Sequence, residues 1–164
     1  MRRSTVLSLA ALLVVLILAA IGADYFTRYA QTYPFRCSTF TRYDLSRTNA
    51  EPKEFAVSQD LRLIEKNTGY LLLNGQVTDG NNVTVLNRTI ELTSGDKTDY
   101  DTWRYRIDKV VKSSTDNTPD TVFDTLLAEL TLDASFLQLN VIKVDQKSYL
   151  IGGPLSFWFT CQRY

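Results

Sequence analysis

The 164-residue sequence has no histidine. That absence removes the commonest general base, the commonest metal ligand and the only side chain whose unperturbed charge changes between about pH 5 and 8. Cysteine is nearly as scarce, with only Cys37 and Cys161, so no metal-type cysteine spacing exists. Excess charge is missing too: the formal net charge is zero. Once the N-terminal Arg2 and Arg3 are set aside, sixteen bases face eighteen acids, a balance that offers nothing to a polyanion such as nucleic acid. Nucleophile constellations and glycine-rich phosphate loops are also lacking, and Gly152-Gly153-Pro154 is more simply a turn between strands than an anion nest. No enzyme, cofactor or metal centre is expected from these residues.

What the sequence does have is one long apolar run. Thr5 to Ala23 carries no charge, follows Arg2 and Arg3, and precedes Asp24. As a helix at about 1.5 Å per residue, a run of this length spans roughly the ~30 Å hydrocarbon core of a bilayer. The arginine pair in front favours a cytoplasmic N-terminus. The expected organisation is therefore a cytoplasmic stub at 1–4, a transmembrane helix at 5–23, a juxtamembrane segment at 24–33 and an exported β-rich domain at 34–164. The rival reading is a cleaved signal peptide ending near Ala20, Gly22 and Ala23. Against it, the run is longer than the ~7 to 15 residues of an ordinary signal core. Both readings export the same domain, which by length is a single one.

Periodicity describes that domain. Tyr25, Phe26, Tyr29 and Tyr33 suit a bilayer surface, and Pro34 ends any helix before a strand with Phe35, Cys37, Thr39, Thr41 and Tyr43 on one face. Ser46 to Lys53 reads as a loop. Strands are expected at Leu61 to Glu65, Tyr70 to Thr78 and Val83 to Thr93, with turns at Asn67 to Gly69, Asp79 to Asn82 and Ser94 to Asp99. A strand from Tyr100 to Lys112 sets Trp103, Tyr105, Ile107 and Val111 against Arg104, Arg106, Asp108 and Lys112. The period then changes. Thr118 as N-cap, Pro119 at the first helical position, and Val122, Phe123, Leu126, Leu127 and Leu130 at helical spacing predict a short amphipathic helix at about Pro119 to Leu130. Strands return at Ser135 to Val144, Ser148 to Ile151 and Leu155 to Gln162, the last with Leu155, Phe157, Phe159 and Cys161 on one face.

Cys37 and Cys161 stand near the two ends of the exported part, and an even pair in an oxidising compartment is most simply a disulfide. Two buried free thiols and an intermolecular bridge are the alternatives. A bond would tie the last strand to the first, as in a sheet that curls into a barrel and so removes its edges. Trp103, Tyr105, Phe157 and Phe159 then either fill a core or line a cavity for an apolar ligand. Asp120, Asp124, Glu129 and Asp133 fit neither a calcium loop nor a catalytic pair and read as a solvated helix face. Asn82-Val83-Thr84 and Asn87-Arg88-Thr89 match the glycosylation acceptor pattern, which matters only in a eukaryotic secretory pathway.

A short start, one helix and a compact β-rich domain, with YPFRCSTF near its beginning and FWFTCQRY at its end, resemble the FidL-like and PsaF/MyfF-like small inner-membrane proteins of enteric bacteria. More distantly the layout resembles the ToxS and VtrC type of accessory protein. The resemblance implies a single-pass protein of the bacterial inner membrane with its C-terminal domain in the periplasm, mainly β with a lipocalin-like barrel. It implies a partner, the periplasmic domain of a single-span winged-helix regulator of the ToxR type, which such a protein binds and stabilises, so controlling transcription and virulence indirectly. In some relatives the paired domains hold an apolar ligand, and a stand-alone periplasmic binder of such a molecule is the alternative function. No catalytic motif comes with the resemblance.

Overall fold

A computed structural model of the chain describes residues 11–23, 33–48 and 51–164. It divides into two units, Met1–Thr32 and Tyr33–Tyr164. In the first, residues 11–23 form helix α1, with apolar side chains exposed all round, Leu12, Val15 and Leu18 among them. Among the described residues no helix is long and apolar enough to cross a membrane. Residues 5–10 of the expected span, and 24–32 of the expected juxtamembrane segment, lie outside the described residues.

The second unit is a closed, mainly β barrel of eight antiparallel strands in sequence order, interrupted once by a helix. The elements are β1 (Phe35–Asp44), β2 (Lys53–Glu65), β3 (Thr68–Asp79), β4 (Asn82–Asp99), β5 (Thr102–Lys112), α2 (Asp120–Leu130), β6 (Phe136–Lys143), β7 (Ser148–Gly152) and β8 (Phe157–Arg163). Period-two burial drives closure: Phe35 and Cys37 of β1, Phe55, Val57, Leu61 and Leu63 of β2, and Leu71, Leu73 and Val77 of β3 all face one core. The expected α2 stripe is buried in that same core, residue for residue: Val122, Phe123, Leu126, Leu127 and Leu130.

Several local expectations need correction. β2 begins at Lys53, eight residues before the expected Leu61: the inward row Phe55, Val57, Gln59, Leu61, Leu63 carries the alternation back to Phe55, and the one amide in it breaks the apolar pattern without ending the strand. The β2–β3 turn is Lys66-Asn67, and Gly69 already belongs to β3. Ser94 to Asp99 is not a turn. β4 runs through it by absorbing register shifts, with Ser94 at φ 50°, and the chain reverses at Tyr100-Asp101. A further shift beside Glu91/Leu92 places Val110 opposite buried Ile90 and Val111 opposite Thr89, so Val111 does not share the face of Trp103. At α2 the cap position falls to Pro119 without a side-chain cap bond. The Thr118 hydroxyl donates instead to the Val85 carbonyl, 3.0 Å away.

The end of the barrel carries the largest surprise. Between Ile151 and Gly152 the β7–β8 register shifts, so that Ile151 pairs with Phe159 but Gly152 with Phe157. The extra residue turns Trp158 inward beside Phe159 and leaves Phe157 56% exposed. Gly153 is needed here, since a Cβ on it would collide with the Trp158 indole.

Candidate functional site

Closure of the barrel rests on a short seam. β1 and β8 pair only at Cys37↔Arg163 and Ser38↔Gln162. The Tyr164 N–H adds a bond to the Arg36 carbonyl at 3.3 Å. A disulfide between Cys37 and Cys161 fastens the same place, with Cα atoms 5.5 Å apart and 124 residues between them in sequence. Both cysteines are buried.

Past Ser38 the two strands no longer pair, though β1 runs on to Asp44. Ser38 faces β8, so by alternation Phe40, Arg42 and Asp44 direct their backbone N–H and C=O groups into the split. The intervening residues bond to β2, as the Leu45 N–H does to the Lys53 carbonyl at 2.8 Å. On the opposite lip, Thr160 lies two residues from Gln162 and holds the same phase. Around this split the outer wall carries exposed apolar side chains: Phe40 at 62% and, on and before β8, Phe157 and Leu155.

Two side chains with buried polar atoms lie beside the seam, Gln59 on β2, the other neighbour of β1, and Trp158 on β8. Gln59, opposite Thr39 of β1, is wholly buried, and its Nε2 donates to the Tyr43 hydroxyl at 2.6 Å. Burial pushes the Tyr43 hydroxyl up to about 12, against the opposing effect of the Gln59 bond. Gln59 Oε1 and Trp158 Nε1 are buried without hydrogen-bond partners.

A second polar cluster holds the segment before α2 onto β4. Arg88 is 4% exposed and lies over the Phe123 ring, 4.4 Å from its centroid. Its Nε donates to Asp116 Oδ2 at 3.1 Å, and its Nη2 reaches Asp120 Oδ1 at 2.8 Å and the Thr118 carbonyl at 2.7 Å. Lys112 Nζ joins the same carbonyl at 2.9 Å. Burial raises the Asp116 carboxyl, but the Asn87 N–H, the Arg88 guanidinium and the Thr118 N–H outweigh it and hold the group below its usual value. The cluster neutralises itself and is a staple rather than a reactive centre.

Of the residues singled out in the sequence, Cys37 and Cys161 meet as a disulfide. Trp103, Tyr105 and Phe159 are brought together within the one packed core, whereas Phe157 lies outside it. That corrects the cavity set. A described groove lies on the outer wall instead, along β3 and β4 beside Tyr70, Leu72, Thr89 and Glu91. Asp120 is committed to Arg88, and among the described residues no group of three or more acidic or cysteine side chains is placed to hold a metal. Sequence reasoning missed Arg88, Asp116 and Gln59. The only available signals were an arginine and a glutamine standing at inward positions of strands otherwise apolar there.

Residues 75–161 match a protein family described as FidL-like putative membrane protein. No curated protein and no solved structure matches the chain.

Proposed function

The chain belongs to the FidL-like family, and from that premise we propose that it is a non-enzymatic, membrane-anchored accessory subunit. Thr5 to Ala23 spans the bacterial inner membrane once, and the barrel lies in the periplasm. There it docks on the periplasmic domain of a co-resident single-span winged-helix regulator of the ToxR type and holds it folded and competent to signal. The observation that carries this reading is the split between β1 and β8, where the strand edge of Phe40, Arg42 and Asp44 is unpaired beside exposed Phe40, Phe157 and Leu155. Strand addition along such an edge supplies main-chain hydrogen bonds, and the flanking apolar side chains supply specificity. Confinement of both proteins to one membrane raises their effective concentration, so a modest interface suffices. Binding only the folded regulator stabilises it by mass action. The packing of Trp103, Tyr105 and Phe159 into the core weighs against the alternative of storing an apolar ligand.

Deletion of the protein is expected to lower the regulator's level and its target transcripts. Re-expression restores both, while Phe40→Glu, made at equal abundance, does not. Unchanged regulator and transcripts in the deletion strain under inducing conditions overturn the proposal.

A further inference from the structure

The free edge of β1 is self-complementary in one register. A strand edge left open is a template for another strand, and natural proteins rarely leave one uncovered. Two copies of β1 brought together antiparallel must place edge-directed residues opposite edge-directed residues, so Phe40, Arg42 and Asp44 of one copy meet the same set from the other. Five two-fold registers centre the contact on residues 40 to 44, but the two centred on Phe40 and Thr41 carry the partner strand across Ser38, whose edge β8 already holds, which leaves three. One sets Arg42 against its own copy and another sets Asp44 against its own copy, and both oppose like charges. The register between them sets Arg42 opposite Asp44 twice, once on each side of the two-fold axis, with Tyr43 facing Tyr43 at the centre.

We propose that, in the absence of another partner, two copies of this chain associate through β1 in that register, with reciprocal Arg42–Asp44 pairs covering the upper edges. The side chains are placed for it. Arg42 is 69% exposed, and its present partner, Glu54 of the same chain at 3.1 Å, forms a surface pair of the kind that holds its members weakly. Asp44 is exposed and takes a hydrogen bond from the Ser46 N–H on Oδ1 at 3.0 Å. The interface is isologous, so it closes as a dimer and does not propagate into a fibre. Self-pairing and regulator docking use one edge and exclude each other, so the dimer is the form that precedes the regulator.

The test takes the full chain in detergent and in nanodiscs and measures its mass by sedimentation velocity and mass photometry. The wild type is expected to be a dimer. Arg42→Asp sets Asp against Asp, and Asp44→Arg sets Arg against Arg, so each variant alone associates more weakly by on the order of a hundredfold. Mixed in equal amounts the two variants pair again, because acidic 42 and 44 of one chain face basic 44 and 42 of the other. The double variant also dimerises. All the substitutions lie on exposed side chains, and an unchanged melting temperature verifies the fold. A monomeric wild type overturns the proposal. So does a dimer that both single variants leave intact, as one held by α1 alone is, or a mixture that fails to pair. None of these readouts involves the regulator, so a monomeric chain that still restores regulator level defeats self-pairing alone.

Discussion

The wall formed by β2, β3 and β4 and the side formed by β5 to β8 are both antiparallel sheet, yet they are held by different means. In the wall, β2 and β3 pair without a break from Lys53↔Asp79 to Leu63↔Gly69, and β3 and β4 from Gly69↔Leu92 to Asp79↔Asn82. Backbone ladder and alternating burial suffice there. On the other side β6 covers β5 only from Thr102 to Arg106, and β6 meets β7 only from Asn140 to Lys143. Where the ladder is short, side chains take its place: the α2 stripe, the Arg88 cluster that ties the segment between β5 and α2 back to β4 of the wall, the Trp158 indole over Gly153, and the disulfide at the seam. Stability in this fold therefore divides into a part written in the ladder and a part written in a few specific side-chain contacts.

The largest expected way to break the second part is to remove the disulfide. Cys37→Ala with Cys161→Ala opens a loop whose closure the chain-entropy model values at about 5 kcal/mol. Urea unfolding is expected to show a loss of that order. An unchanged midpoint means the two strand pairs of the seam hold closure unaided.

Next comes the Arg88 cluster. Arg88→Ala leaves Asp116 buried without its main cation and is expected to cost about 3 kcal/mol in the same assay. The pH dependence follows in sign. Asp116 has a depressed pKa in the folded state, so its contribution is complete above the ordinary carboxylate value near ~3.9 and is lost as pH falls through the lower folded value. Asp116→Asn is expected to be less stable at neutral pH and to show a shallower loss of stability on acidification.

The smallest effect has the opposite sign. Gln59→Leu removes a buried acceptor that has no partner and restores the apolar row of β2, while Tyr43, only half-buried, keeps access to water. The domain is expected to gain about 1 kcal/mol. A loss of stability there means Gln59 serves the fold by holding Tyr43.

What was readable in the sequence follows the same division. β1, β3 and the five buried positions of α2 stand out because each obeys its period over its whole length, and the single cysteine pair had few ways to combine. The start of β2 was hidden by Gln59, the upper half of β4 by a turn-like run that the strand absorbs as bulges, and the inward turn of Trp158 by one inserted residue. Period arguments fail after any insertion of one residue, because every later side chain changes face. Arg88 and Asp116 lie 28 positions apart, and no local pattern connects them. The split at the seam was equally silent, since β1 and β8 each read as an ordinary strand. The tie between first and last strand expected from the cysteine pair is present, but the pairing it fastens stops at Ser38.

That seam also fixes an order of events. Every other strand pairing joins neighbours in the sequence, so it forms as a local loop closes, whereas β1 meets a strand that begins 122 residues after its own first residue. A ribosome delivers β1 early and β8 last. Throughout that interval the whole edge from Phe35 to Asp44 is without β8, and the one native neighbour of β1 already made is β2, on its other side. Under the proposed docking, a partner present during synthesis meets a longer edge than one that arrives afterwards, so the timing of encounter joins affinity in deciding what covers β1.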